Sequence, residues 1–134
     1  MCGRYTLSSV QHPRLVDSGV SLMSSFNISP TQSVWVLNER AELCKMNWRF
    51  SPIWAKPIMR LYNARSETLR KKPSFQGAKR CVFLADGWFE WCRVERIRTP
   101  YYHHLNGQLI YFGGIYNEES GCAIVTTEAK DAPA

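Results

Sequence analysis

Short runs of β-branched and aromatic residues, each bounded by Gly, Pro, Asn or Asp, recur along the whole sequence. Such runs are typical of strands and leave little room for helices. We predict strands at Arg4–Ser8, Ser33–Leu37, Leu43–Phe50, Arg80–Asp86, Trp88–Arg93, Pro100–Leu105, Leu109–Tyr116 and Cys122–Thr127. Short helices are predicted at Ser9–Ser18 and Ser66–Lys72, and hairpin turns at Asp86-Gly87 and Asn106-Gly107. The pattern predicts one α+β, mostly β domain with a curved antiparallel sheet.

The size and charge of the chain narrow its function. Its 134 residues suit a single hydrophobic core, and 17 Lys and Arg against 11 Asp and Glu leave a net charge of +6. This excess favours a polyanionic partner such as nucleic acid. The apolar runs are too short to cross a membrane, and the residues after Met1 do not resemble a signal peptide. We therefore expect a protein that does not enter membranes.

The five cysteines are widely spread and form no C-x-x-C pair. This spacing predicts neither a disulfide framework nor a metal site, and it favours a reducing compartment. Cys81, Cys92 and the adjacent His103 and His104 match no zinc signature. We expect a cytoplasmic protein, associated with the nucleoid in a bacterium or located in the nucleus of a eukaryote.

Cys2 is the residue with the widest chemical possibilities. Aminopeptidases remove Met1 before a small residue, which would leave a cysteine with a free α-amine and a thiol. Their ordinary pKa values, about 8 and about 8.5, leave both groups partly deprotonated near neutral pH. The thiolate could attack a carboxamide, or amine and thiol together could condense with an aldehyde into a thiazolidine ring. Arg4 could lower the thiol pKa or hold a phosphate. Cys2 could also have no role.

Three further features carry possible chemistry. Six basic residues crowd into residues 65–80, which is either a solvated face or a phosphate-binding surface. Trp54 follows Pro52 in a predicted loop, where an exposed ring could stack on bases. Glu90 lies among aromatic residues and shares a strand face with Trp88. A carboxylate in such surroundings suits proton transfer, although a surface glutamate beside a hairpin would look the same.

Four segments together resemble the SRAP family, the abasic-site processing proteins formerly described as SOS response-associated peptidases. The segments occur in the family's order and span nearly the whole chain. They are Met1-Cys2-Gly3-Arg4-Tyr5, Asn27-Ile28-Ser29-Pro30, Asn63-Ala64-Arg65-Ser66-Glu67-Thr68 and Arg80-Cys81-Val82-Phe83-Leu84-Ala85-Asp86-Gly87-Trp88-Phe89-Glu90-Trp91.

The resemblance implies an SRAP-like curved sheet or barrel with short flanking helices. It also implies that Cys2 captures the aldehyde of an abasic site in single-stranded DNA as a thiazolidine cross-link, which shields the lesion. Asn63 would orient the aldehyde, and Glu90 would assist proton transfer. The resemblance assigns DNA contacts to Arg4 and Arg65 (phosphates), to Pro30 and Trp54 (strand path and bases), and more weakly to Thr126.

The resemblance further implies a monomer with no cofactor, and lyase-type chemistry with autocatalytic removal of Met1. The family carries a histidine in a His-x-Arg-Met-Pro-like segment after the last predicted strand, so residues 1–134 are expected to form one SRAP-like domain lacking that C-terminal part. Three alternatives stay open: a class II glutamine amidotransferase, a peptidase, and a module that binds single-stranded DNA without a covalent bond.

Overall fold

A computed structural model describes residues 2–8, 13–16 and 25–128 of the chain. The mostly β class predicted from the sequence is confirmed. Besides one α-helix, α1 (Pro13–Val16), and a 3-10 turn at Pro73–Phe75, the described residues form ten strands. In chain order these are β1 (Tyr5–Leu7), β2 (Ser25–Ile28), β3 (Ser33–Leu37), β4 (Leu43–Asn47), β5 (Asn63–Arg65), β6 (Lys79–Ala85), β7 (Gly87–Val94), β8 (Ile97–His104), β9 (Ile110–Asn117) and β10 (Gly121–Thr126).

The strands form two sheets. One has the order β2-β1-β7-β8, and the other has the order β4-β3-β6-β9-β10-β5. Every pair is antiparallel except β10 and β5, which run parallel and align Ile124 with Asn63 and Thr126 with Arg65. Among the described residues the two sheets stay open, so the fold is a pair of sheets rather than a closed barrel.

An aromatic cluster between the sheets holds them together. Tyr5 of the smaller sheet packs against Trp48, Phe83 and Phe112, with ring centroids 5.3, 6.2 and 5.8 Å away. Tyr5, Trp48 and Phe83 are at most 1% exposed. Aromatic pairs at these distances add to the stabilisation that area burial provides. The packing fixes β1, and with it Cys2, against the larger sheet.

The predicted hairpin turn at Asp86-Gly87 is wrong. The two flanking strands, β6 and β7, belong to different sheets, and the chain crosses between the sheets at Asp86. The Asp86 carboxylate is 2% exposed and accepts hydrogen bonds from the Thr6 hydroxyl at 2.5 Å and from the Ser8 backbone N–H at 2.7 Å. Asp86 thus serves as a buried hydrogen-bond acceptor at the crossing point.

Other local predictions fail for similar reasons. Asn106 and Gly107 do form a turn with positive φ, but β8 and β9 again lie in different sheets. Residues 66–71 form successive turns and no helix, and the Glu67 side chain bonds to residues after β10. The part of Ser9–Ser18 outside Pro13–Val16 lies outside the described residues. No helix in the described ranges is long and apolar enough to span a bilayer.

Candidate active site

A cavity of about 430 Å³ lies between the two sheets, at the end of the larger sheet where β10 finishes. Cys2, which precedes β1, lines it together with Trp88 and Glu90 of β7. Residues 110–113 of β9, 124–126 of β10 and Thr127 after β10 line the opposite side. Alternation along β7 directs Trp88 and Glu90 to the same side, as the sequence predicted. The volume lies within the range typical of sites for small ligands.

Cys2, which lines the cavity, is 8% exposed. Burial raises the pKa of the Cys2 thiol to about 11, and the negative charge of Glu90 adds to the rise. With Met1 in place, burial therefore works against the partly deprotonated thiol that is expected of an N-terminal cysteine. Arg4 lowers the Cys2 pKa only through its backbone carbonyl, which accepts a hydrogen bond from the Cys2 thiol at 3.9 Å. Its guanidinium makes other contacts: Nε donates to Asn27 Oδ1 at 3.2 Å and Nη1 to the Gly3 carbonyl at 3.0 Å.

Asn63 lies on the strand beside the cavity. Its parallel pairing with Ile124 places it next to a lining residue, although Asn63 itself is not among the residues that line the cavity. The Asn63 Oδ1 and Thr126 Oγ1 atoms are both buried and have no hydrogen-bond partner in the described part of the chain. Buried polar atoms in native proteins are nearly always paired. These two atoms are therefore suited to bind a polar group of a ligand or a water molecule.

The residues expected to contact DNA lie outside this cavity, apart from Thr126. Arg4 and Arg65 are exposed, and the Arg65 Nε lies 3.5 Å from Glu67 Oε2 in an exposed ion pair that contributes little energy. Trp54 is 61% exposed, and Pro30 is half-buried in the turn after β2. The structure thus brings Cys2, Glu90 and Thr126 together, and leaves the remaining predicted DNA contacts on the surface.

Part of the basic run is already paired. The Lys79 Nζ lies 3.1 Å from Glu118 Oε1 and 3.8 Å from Glu39 Oε1, so its charge is largely balanced within the protein. Arg70, Lys71 and Lys72 are exposed on and directly after the turns of residues 66–71. In the described ranges, no three His, Cys, Asp or Glu side chains are placed to hold a metal ion.

Sequence reasoning missed one residue that shapes the cavity. Glu67 Oε1 accepts hydrogen bonds from the Glu128 N–H at 2.6 Å and from the Thr127 hydroxyl at 3.1 Å. These bonds, of which the one from Glu128 has the largest effect, lower the pKa of the Glu67 carboxyl to about 2. Glu67 therefore fixes the segment after β10, which forms one wall of the cavity. No local sequence signal indicates this contact, because the partners are about 60 residues away.

Comparison with known proteins gives consistent results. The family model described as SOS response associated peptidase (SRAP) matches residues 1–134. The abasic site processing protein YoqW of Bacillus subtilis is 31% identical, in an alignment that covers 98% of this chain and 70% of the relative. The abasic site processing protein YedK of Escherichia coli is 30% identical, with 96% and 68% covered.

A solved structure shares the fold. A crystal structure of a protein from Bacteroides thetaiotaomicron matches with a TM-score of 0.77 and 22% identity, over 97% of this chain and 70% of that one. At this level of identity the match concerns the architecture of the two sheets alone.

Proposed function

This chain belongs to the SRAP family, and from that premise we propose that it processes abasic sites in single-stranded DNA by forming a thiazolidine cross-link through Cys2. The observation that carries the proposal is that Cys2 and Glu90 line one cavity of about 430 Å³, beside the unpartnered Asn63 Oδ1 and Thr126 Oγ1 atoms. The relatives named as abasic site processing proteins support the choice of substrate.

The chemistry begins with hydrolysis of the Met1–Cys2 peptide bond, which frees the Cys2 amine. The amine nitrogen attacks the aldehyde carbon of the ring-opened sugar, and the adduct loses water to give an imine. The thiol sulfur then adds to the imine carbon while its proton passes to the nitrogen, closing the thiazolidine ring. One water molecule is released overall when the cross-link forms.

The order of these steps follows from the burial of the thiol. Because burial raises the pKa of the Cys2 thiol, the sulfur holds its proton more strongly than that of a solvated cysteine, whereas an α-amine of ordinary pKa, about 8, is partly free to attack. The amine therefore reacts first. Glu90 accepts a proton from the attacking amine and returns it to the departing hydroxyl, and the Asn63 amide orients the aldehyde oxygen.

The same burial weakens the two hydrolase alternatives. A glutamine amidotransferase or a cysteine peptidase attacks with a thiolate, and a buried thiol beside a carboxylate has little thiolate at neutral pH. In our proposal the exposed Arg4 and Arg65 bind phosphates of the strand, Trp54 stacks on a base, and Pro30 shapes the path between them. Single-stranded DNA can bend enough to place the abasic sugar in the cavity, because no complementary strand holds it straight.

Denaturing electrophoresis after incubation with abasic-site single-stranded DNA tests the proposal, once mass spectrometry has established that Met1 is absent. We expect a band of lower mobility with the wild type and with Cys44→Ser, a control that removes a half-buried cysteine outside the cavity. Cys2→Ser, or DNA whose aldehyde has been reduced with borohydride, should give no band. A band of equal strength with Cys2→Ser would refute the cross-link. Binding without any band would favour the non-covalent module.

A further inference from the structure

The outer halves of β7 and β8 form a two-stranded ribbon that projects from the body of the protein. The two strands pair along their whole length, from Gly87 with His104 to Val94 with Ile97. The next strand in the sheet, β1, pairs with β7 only at Gly87 and Trp88. Residues 91–102 are all exposed. We call residues 91–101 the distal ribbon.

The inner face of the distal ribbon continues the wall of the cavity. Directly paired residues on antiparallel strands point to the same face. Tyr101 pairs with Glu90, which lines the cavity, and Val94 pairs with Ile97 further along the same face. The exposed fractions of Tyr101, Val94 and Ile97 are 54%, 67% and 67%. An apolar face of this kind, running outward from a cavity, is suited to bind a ligand that extends beyond the cavity.

The arginines of the ribbon make it strongly basic. Arg93 pairs directly with Arg98 across the strands, and such opposed like charges destabilise a hairpin. Arg98 also lies over the Trp91 ring, 5.3 Å from its centroid. None of the ion pairs among the described residues involves Arg93, Arg96 or Arg98. A polyanion bound along the ribbon would relieve this repulsion.

We propose that the distal ribbon is a second single-stranded DNA contact, which binds the nucleotides on one side of the sugar held in the cavity. On the face that carries Glu90, a base stacks on Tyr101 and apolar contacts extend to Ile97 near the tip of the ribbon. The strand of DNA then passes round the tip, where Arg93 and Arg98, which lie on the opposite face, bind its backbone phosphates. This inference rests on the proposed function, since the strand must first enter the cavity. An isolated two-stranded ribbon is only marginally stable, so a bound strand would also order it.

Equilibrium binding to DNA that cannot cross-link tests this contact independently of the covalent chemistry. The probes are single-stranded oligonucleotides of about 10 nucleotides with a tetrahydrofuran abasic analogue, which has no aldehyde, at the 5′ end or at the 3′ end. The double variant Arg93→Ala/Arg98→Ala should bind one of these probes more weakly and the other as the wild type does. For the affected probe, the plot of log K against log salt concentration should become less steep by about 1.4. This figure assumes that each arginine neutralises one phosphate and that each phosphate contributes roughly 0.7 to the slope on single-stranded DNA.

A matched control removes two positive charges elsewhere. Arg40→Ala/Lys45→Ala changes exposed residues of the β3–β4 hairpin, none of whose residues lines the cavity, and should leave the difference between the two probes unchanged. Tyr101→Val keeps a β-branched residue in the strand but removes the ring, and it should weaken binding of the affected probe by roughly 5-fold or more. Tyr101→Phe should restore the affinity.

The binding assay and the cross-linking assay test the ribbon contact and the covalent chemistry separately. If both ribbon variants bind both probes as the wild type does, or lose the same affinity for each, the ribbon is not a one-sided DNA contact. That result would leave the cross-linking band intact. If instead the wild type forms no cross-link with aldehyde-bearing DNA but the ribbon effect is present, the DNA contact stands and the covalent chemistry falls.

Discussion

Replacing Glu90 with glutamine should change two measurable properties of Cys2 in opposite directions. Glutamine keeps the size of the side chain but removes the negative charge that helps to raise the pKa of the Cys2 thiol to about 11. The thiol pKa should therefore fall, while burial, which is the larger cause, keeps it above that of a solvated cysteine. Cross-linking to abasic DNA should become slower, because the group that moves the proton during imine formation is gone.

The size of the first effect follows from the shift. A thiol with a pKa of about 11 holds about 100-fold less thiolate at pH 8 than one with a pKa of 9.0. Since iodoacetamide reacts with the thiolate, Cys2 in the folded wild type should be alkylated about 100-fold more slowly than in the unfolded chain. Glu90→Gln should recover part of this factor. The loss of a general acid–base group costs roughly 100-fold or more in the cross-linking rate.

Peptide mass spectrometry after timed alkylation measures the first rate, and denaturing electrophoresis measures the second. Cys44 provides an internal control in the same samples, because it lies on β4, away from Glu90, and its alkylation rate should be the same in wild type and variant. The reasoning is refuted if Cys2 of the wild type reacts as fast as in the unfolded chain. It is also refuted if Glu90→Gln speeds up both alkylation and cross-linking, since Glu90 would then not be needed for proton transfer.

Two further predictions concern stability. Burial raises the pKa of Cys2 to about 11 and that of Cys81 to about 12, and it raises the pKa of Cys122 further still. The folded state therefore keeps these protons to a higher pH than the unfolded state does. The free energy of unfolding should fall as the pH rises above about 9, by roughly 1.4 kcal/mol per pH unit for each of these thiols. Denaturant titrations between pH 8 and 10.5 measure this, and a flat profile would contradict it. Gly121→Ala should cost about 2–4 kcal/mol in thermal or denaturant unfolding, because φ is +141° and a Cβ would lie 2.1 Å from the Asn47 carbonyl oxygen. The matched Gly113→Ala, whose Cβ meets nothing within 4 Å, should change stability by less than about 0.5 kcal/mol; equal losses would show that the close approach at Gly121 is not the cause.

Strand positions could be predicted because each strand carries its own local signal. The prediction Arg80–Asp86 lies within one residue at each end of the observed strand Lys79–Ala85, since its apolar run is bounded by charged and turn-forming residues. The connection after it could not be predicted in the same way. Asp86-Gly87 has the composition of a hairpin turn, and what decides its structure is the hydrogen bonding of Asp86 to Thr6 and Ser8, about 80 residues earlier in the chain.

The candidate site shows the same division. The aldehyde-trapping chemistry of Cys2 was a prediction from residue type and position, and the face shared by Trp88 and Glu90 followed from strand alternation. The protonation of the thiol could not be predicted, because it depends on burial between two sheets and on the proximity of Glu90, which lies on a distant strand. Ordinary pKa values apply to a solvated cysteine, and the fold removes most of that solvent.

Strand β7 of the protein connects the reaction site to the surface proposed to bind the flanking DNA. Its first two residues, Gly87 and Trp88, are paired on both sides, with β1 and β8, and Glu90 follows two residues later at the cavity wall. Its second half is paired only with β8, so Trp91 and Arg93 project into solvent. Because successive residues of a strand point to opposite faces, the face that carries Glu90 cannot also carry Trp91. Strand β7 thus carries both the residue proposed for proton transfer inside the cavity and residues of the basic ribbon outside it. In the proposed mechanism, the residues that recognise the flanking DNA are therefore connected by continuous backbone to the carboxylate that acts on the lesion.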